Sequence, residues 1–216
     1  MLLVAPRPAA VAPRHGAGTV AAVLRFVLAL VFAMVVVPLC LDTLLRTIEP
    51  RRHVPEDPLW MAAGLMLGVV LIFVKRPNWL LHTMIHEACH FLACVILGVK
   101  VHKVMASDGR GGEVEHQATG PIRTALIALA PYAIPLVLGP VLLARHLAPE
   151  GPLRAALSLL APIAYVTHLT ALIHNVRLNL RDPKGDLAKV GRLLALTIII
   201  GMLMLVTALT IVVLWD

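Results

Sequence analysis

Blocks of apolar residues long enough to cross a lipid bilayer recur along this chain, and they restrict its fold more than any other feature. The blocks cover about 20–47, 59–74, 78–98, 121–147 and 153–178, and a last one ends at Trp215. A helix needs about 20 apolar residues to cross the hydrocarbon core. Backbone hydrogen bonds within that core are satisfied only in helices or closed barrels. The sequence therefore predicts an all-α polytopic membrane protein with about six transmembrane helices.

Composition excludes the main alternative classes. Hydrophobic residues make up 59% of the 216 residues and charged residues only 14%, whereas a soluble domain carries roughly 25% charged residues. The net charge of +7 comes from Lys and Arg scattered through the loops, a pattern that suits anionic membrane lipid. We therefore expect a multi-pass protein of the cell membrane that contacts lipid and does not bind nucleic acid.

The domain organisation is simple. Residues 1–19 contain several prolines together with Arg7 and Arg14, which predicts a disordered basic tail. The apolar block that follows is too long for the core of a signal peptide, so residues 20–216 are interpreted as one transmembrane domain. Alternating apolar and polar residues flank the glycine-rich segment 107–112 (SDGRGG). This pattern predicts a short β-hairpin at 99–118, after the third helix.

One motif within the third block points to chemistry. The chain reads HEACH from His86 to His90, and residues four apart on a helix lie on one face, about 6 Å apart along the axis. His86 and His90 can therefore bind one metal ion, and Glu87 can reach a water on that ion. A pattern of five residues with three fixed positions also occurs by chance. Three polar side chains in the middle of an apolar helix are nevertheless costly to bury, which favours a functional site.

The remaining ligand must come from elsewhere, because zinc in a catalytic site has three protein ligands and an open position. The polar patch before the last block offers Asp182 and Asp186, with Asn175 and Asn179 close by. His82 lies four residues before His86. It is either a group that supports the site or a histidine near the membrane interface with no role.

These features resemble the site-2 protease family of intramembrane zinc metalloproteases. The resemblance rests on HExxH within a membrane helix, a glycine-bearing hairpin after it, and a late Asn-Leu segment with Pro and Asp, here NLRDPKGDL at 179–187. Asp186 matches the family's third ligand best. Pro183 is one position late, and Leu187 stands where the family has glycine.

The resemblance implies a function and a set of roles. It implies a zinc-dependent endopeptidase that cleaves a peptide bond of a membrane protein substrate, with His86, His90 and Asp186 as zinc ligands and Glu87 as general base. Asn175 or Asn179 would bind the substrate by stabilising its oxyanion. The hairpin would either add an unwound substrate segment as an extra strand or serve only as a connector.

Two other classes stay open on the sequence. A membrane oxidase or hydroxylase with two irons would use Glu87 and His90 with a second ExxH pair, Glu113 and His116. A non-catalytic membrane zinc-binding or scaffold protein would tolerate an incomplete ligand set. Asp182 differs from Asp186 in position, since Asp182 precedes Pro183, where an N-cap belongs. The sequence therefore predicts a helix that begins at Pro183, with Asp186 one turn into it.

Overall fold

The computed structural model describes residues 15–48, 57–74, 78–107 and 111–215, with side-chain detail for 23–45 of the first range. Its elements, in chain order, are α1 (His15–Ile48), α2 (Pro58–Val74), α3 (Trp79–Ile96), β1 (Val101–Ser107), β2 (Gly111–His116), α4 (Pro121–Ala133), α5 (Leu138–Leu147), α6 (Pro152–Arg181), α7 (Asp186–Val190) and α8 (Arg192–Trp215). The predicted tail falls mostly on 1–14, outside the described residues.

The predicted helical membrane architecture is confirmed, but the number of six spans is not. Four described helices, α1, α3, α6 and α8, are long and apolar enough to cross a membrane. The pair α4 and α5, bent by 67°, could form a fifth span. The helix α2, predicted as the second span, has 17 residues, which is about 26 Å of helix against a hydrocarbon core of about 30 Å.

The bend between α4 and α5 follows from proline. Ile134 ends α4 with extended backbone angles, φ −94° and ψ 111°, and Pro135 comes next in the chain. A proline disfavours the helical conformation for the residue before it, so the helix cannot continue through Ile134. Pro131, which also lies within the predicted fourth span, is accommodated inside α4.

The described strands form a two-stranded antiparallel sheet. Val104 pairs with Val114 and Met105 with Glu113, and the register is irregular between Val101 and Lys103. The sheet packs against α3 on both strands. Its second strand, β2, begins at Gly111 with φ +77°, a conformation that favours glycine. The hairpin thus lies beside the helix that carries the HExxH motif.

Close helix packing builds the rest of the bundle. A side chain at Gly64 of α2 would collide with the backbone oxygen of Leu159 in α6, and a side chain at Gly68 would lie 3.2 Å from Ile163 Cα. Small residues let helices approach closely in membranes, where packing rather than the hydrophobic effect drives association. Large apolar side chains on the outer faces remain exposed, among them Phe73 at 84%. This distribution suits contact with lipid.

A cluster of buried apolar side chains joins α7 to α6 and α8. Leu187 and Val190 of α7 pack with Leu172 of α6 and Ile199 of α8. Leu187 is 0% exposed, so the short helix α7 is anchored by its apolar face. This anchoring fixes the direction in which the first residue of α7, Asp186, projects.

Candidate metal centre

The helix α3 brings its polar motif to one cavity. Asn78 caps the helix by accepting a hydrogen bond from the Leu81 amide, 3.0 Å. Two turns further on, the His86 and His90 rings lie with centroids 5.0 Å apart, as the four-residue spacing predicts. Glu87 and His90 are 5% and 8% exposed. The motif therefore faces the interior of the protein rather than lipid.

Asp186 completes a convergent set of ligand atoms. Its Oδ2 lies 3.3 Å from His90 Nε2 and 3.7 Å from His86 Nε2. All three ligand atoms lie within 4.8 Å of one another, and within the described residues this is the group of His, Cys, Asp and Glu that could hold a metal ion. Tetrahedral zinc with bonds of about 2.0–2.2 Å places ligand atoms roughly 3.3–3.6 Å apart. The His90–Asp186 distance falls within this range and the His86–Asp186 distance lies 0.1 Å above it. Two imidazole nitrogens and a carboxylate oxygen are also ligand types that zinc takes.

The His90 ring shows why a cation suits this position. Its Nδ1 lies 2.8 Å from the backbone oxygen of Ile127, and a carbonyl can only accept, so Nδ1 carries a proton. In the neutral ring, Nε2 then presents a lone pair toward the Asp186 carboxylate. Two acceptors 3.3 Å apart repel each other unless a proton or a metal ion lies between them. The carbonyl of Ile127 thus orients His90 as a ligand.

His86 has a side-chain partner instead. Its Nδ1 lies 3.0 Å from Asn175 Nδ2, and Asn175 Oδ1 lies 2.8 Å from His82 Nε2. Both polar atoms of this buried amide are therefore within hydrogen-bond distance of imidazole rings. His174 packs against the rings of His82 and Trp79, with centroids 5.3 and 4.5 Å away.

Asn179 supports Asp186 from the neighbouring turn. Its Oδ1 accepts a hydrogen bond from the Asp186 amide, 3.0 Å, and its Nδ2 donates to the Asn175 backbone oxygen, 3.2 Å. A side chain at Gly185 would come within 2.5 Å of Asn179 Oδ1. The first turn of α7 is therefore tied directly to α6.

The predicted start of this helix was wrong. The helix α7 begins at Asp186, with Gly185 as its N-cap, because Pro183 to Gly185 form a turn. Asp182 Oδ1 accepts a hydrogen bond from the Lys184 amide, 2.8 Å, and so caps that turn rather than a helix. Asp186 is the first residue of the helix. The carboxylate of Asp182 is occupied, whereas that of Asp186 faces both histidines.

Electrostatics agree with an ionised Asp186. Burial acts to raise the pKa of its carboxyl. Where a proton lies between the carboxylate and the His86 and His90 rings, their hydrogen bonds outweigh burial and hold the pKa well below its usual range. Lys189 adds an ion pair at 3.0 Å. An ionised carboxylate is the form that binds a metal ion.

The hairpin closes the other side of the site. A Cβ atom added to Gly112 of β2 would lie 2.6 Å from Glu87 Oε1, so the strand backbone rests directly on the Glu87 side chain. The resulting cavity has a volume of about 750 Å³ and is lined by α3, β2, the end of α6 and α7. The hairpin and the segment from Asn175 to Asp186 therefore meet at one cavity.

Comparison with known proteins decides the family. Residues 59–181 match the peptidase M50B-like family, which is more than half of the 216 residues. The chain belongs to the peptidase M50B-like family. This match confirms the resemblance to the site-2 proteases. Curated proteins and solved structures give no match.

The family match covers some of the candidate site residues of this M50B-like protein and leaves out Asp186. It includes the HExxH motif, Asn175 and Asn179, but it ends at residue 181, before Asp186. The family match therefore does not cover Asp186, whose assignment rests on the distances above and on the resemblance of the segment 179–187. The di-iron alternative needs a second convergent set of ligands. Glu113 and His116 line the same cavity, but neither belongs to the convergent group.

The sequence interpretation missed two groups that contact the site residues, the Ile127 backbone oxygen and Gly112. The oxygen of Ile127 is a backbone atom and leaves no sequence signal. Gly112 belongs to a glycine-rich turn that was identified only as a hairpin signal. Its place against Glu87 could have been suspected from the position of the hairpin directly after α3, because a tight approach of backbone to a side chain favours glycine.

Proposed function

We propose that this protein is a zinc-dependent endopeptidase that cleaves a membrane-embedded or membrane-proximal peptide bond. The observation that carries the proposal is the convergence of His86, His90 and Asp186 on one point beside the buried Glu87. Membership of a peptidase family supports the reaction class. The apolar helices around the site support a location in the membrane, which we propose to be the cell membrane, and a membrane protein as substrate.

The three ligand candidates would hold zinc, and Glu87 would move the proton. Bound zinc would supply a Lewis acid that acidifies water and polarises the substrate carbonyl. Glu87 follows His86 directly, so its side chain does not share the helix face of His86 and His90. Its carboxylate nevertheless lines the same cavity. It would accept a proton from the attacking water and pass it to the leaving amine.

The hairpin would present the substrate to these groups. A helical substrate hides its peptide bonds within its own hydrogen bonds, so cleavage requires an extended segment. The described sheet has two strands, and residues 111–114 of β2 line the cavity next to Glu87. A substrate segment that paired along β2 would pass the metal ligands in the extended form that hydrolysis needs.

A second cavity supports an apolar substrate. It has a volume of about 700 Å³ and lies among α2, α3, the α4–α5 bend and α6. It shares His82, His86 and Asn175 with the first cavity and is otherwise lined mainly by apolar side chains. Apolar residues of a membrane segment could therefore lie on one side of the centre while the scissile bond enters the polar cavity.

The decisive experiment combines metal analysis with turnover. The purified full-length protein in lipid nanodiscs should contain one zinc per chain and cleave at least one peptide from a panel of membrane-inserted peptides. Glu87→Gln should retain zinc and lose cleavage, because a general base is not a ligand. His90→Ala should lose both. Cleavage by Glu87→Gln at the wild-type rate, or a wild-type protein without zinc affinity, would refute the proposal.

A further inference from the structure

The two histidine ligand candidates are oriented by partners of different kinds. His90 Nδ1 faces a backbone oxygen, that of Ile127, which can only accept a hydrogen bond. His86 Nδ1 faces the side-chain amide of Asn175, which can present either a donor or an acceptor. The orientation of His90 is thus fixed by the fold, whereas that of His86 depends on how the Asn175 amide is turned.

Metal binding requires one of the two amide orientations. A neutral imidazole that binds a metal through Nε2 carries its proton on Nδ1, so His86 Nδ1 must donate. Asn175 must then present its oxygen to His86. Rotation of the amide by 180° exchanges its oxygen and nitrogen, and the NH₂ group then faces His82 Nε2, which accepts.

His82 makes that orientation favourable. With the oxygen turned to His86, the amide NH₂ would be buried without an acceptor if His82 were absent, and leaving a buried donor unsatisfied is unfavourable. The His82 ring is itself held between neighbouring rings, with centroids 6.0 Å from Trp79 and 5.3 Å from His174. The acceptor is therefore in a fixed place.

We propose that Asn175 is a positioning residue that holds His86 in its metal-binding tautomer, and that His82 holds Asn175 in turn. The proposal rests on the zinc site proposed above, and it gives Asn175 a task other than binding the substrate oxyanion. The amide is 8% exposed, and both of its polar atoms have imidazole partners. A substrate carbonyl would have to displace His82 to receive its NH₂ group.

The test is the zinc dissociation constant of the full-length protein in nanodiscs, measured by competition with a chromogenic chelator. Asn175→Leu keeps the approximate volume and removes both hydrogen bonds. It should weaken zinc binding by about 10–100-fold, as the loss of partners of metal-bound histidines does. Asn175→Asp should retain the wild-type affinity or exceed it, because a carboxylate accepts from His86 Nδ1.

Two further variants complete the design. His82→Phe keeps a ring and removes the acceptor, so it should weaken zinc binding by less than Asn175→Leu does. Thr170→Val is the matched control on α6, since its hydroxyl donates to the Val166 oxygen of its own helix. It should bind zinc like the wild type. If Asn175→Leu does not fold, Asn175→Ser carries the same expectation, because its hydroxyl is too short to bridge both rings.

The outcomes separate this proposal from the proposed function. Wild-type zinc affinity in Asn175→Leu overturns the positioning role, and a loss of turnover in that variant would then indicate contact with substrate. An equal loss of affinity in Asn175→Leu and Asn175→Asp also overturns it. Should all variants rank as expected while none of the proteins cleaves a peptide, the positioning role stands and the peptidase proposal falls.

Discussion

At the residue scale, the candidate ligands differ in what holds them. A backbone oxygen orients His90, a side-chain amide orients His86, and a short helix with an amide bond to Asn179 orients Asp186. The partner of His90 lies on α4, whereas those of His86 and Asp186 lie four residues apart on α6. Substitutions around the centre should therefore have separable effects on zinc binding and on turnover.

The two nearby carboxylates provide the sharpest comparison. Asp186→Ala should weaken zinc binding by more than the roughly 10–100-fold that loss of an outer partner costs, because it removes a ligand. Asp182→Ala should leave zinc affinity close to the wild-type value, since its carboxylate accepts from the Lys184 amide and does not belong to the convergent group found among the described residues. Equilibrium zinc binding of the two purified variants gives the answer. The reverse ranking would show that the wrong carboxylate is assigned.

Gly112 should matter for turnover without mattering for zinc. In Gly112→Ala the new methyl group displaces the Glu87 side chain, so peptide cleavage should fall, by up to the 10²–10⁴-fold that a general base contributes. Zinc content should not change. Gly120→Ala is the control, because nothing lies within 4 Å of its Cβ position. Equal cleavage by the two variants would contradict the contact between β2 and Glu87.

The Tyr132 hydroxyl lies near the metal centre, and its contribution to stability can be tested. Its hydroxyl is buried and has no hydrogen-bond partner among the described residues, and its ring lies 5.9 Å from the His86 ring. A buried hydroxyl without a partner costs about 1–3 kcal/mol. Tyr132→Phe should therefore unfold at the same temperature as the wild type or higher, as measured by thermal denaturation in nanodiscs. A clear fall in that temperature would reveal an unrecognised partner of the hydroxyl.

At the element scale, helix contacts through glycine set the positions of the spans. One close approach joins α2 to α6 at Gly64, and another joins α8 to α1, where a side chain at Gly201 would come within 2.5 Å of Phe32. The position of the short helix α2 is therefore set by its packing against α6. The second glycine of α2, Gly68, lines the apolar cavity.

Replacing Gly64 by alanine has two opposing effects on the stability of the protein. Helix propensity would gain about 1 kcal/mol, but the methyl group collides with the α6 backbone, and overpacking of this kind costs about 1–3 kcal/mol. Because backbone cannot move aside as a side chain can, we expect net destabilisation in thermal unfolding. Gly139→Ala in α5, where the nearest atom lies at 3.9 Å, should be neutral or stabilising. An equally stable Gly64→Ala would contradict the close contact.

At the scale of the whole molecule, a buried arginine ties together the end of the bundle far from the metal centre. Arg145 is 0% exposed and donates to the backbone oxygens of Val213 and Leu214 and to Ser158 Oγ. Ser158 in turn donates to Asp57. These contacts join the ends of α5 and α8 to the starts of α6 and α2. Ser158 lies about 25 Å along α6 from Asn175.

Arg145→Leu should therefore affect stability and not the metal centre. It leaves the oxygens at the end of α8 and the Asp57–Ser158 pair without their cation, and we expect a loss of about 3 kcal/mol in the free energy of unfolding. Zinc affinity of the folded protein should stay at the wild-type value. Arg123→Leu, at an exposed position, is the control for the loss of one positive charge. Weaker zinc binding in Arg145→Leu would show that the two ends are coupled.

The sequence by itself determined what depends on neighbours along the chain. Apolar blocks predicted membrane helices, and the four-residue spacing placed His86 and His90 on one face, because helical periodicity is a local property. The tertiary structure alone decided the rest. The helix α7 begins at Asp186 rather than at Pro183, with the Asp186 amide bonded to Asn179 of α6. The partners of His86 and His90 lie 89 and 37 residues away. Such contacts depend on how whole helices pack, which no local pattern specifies.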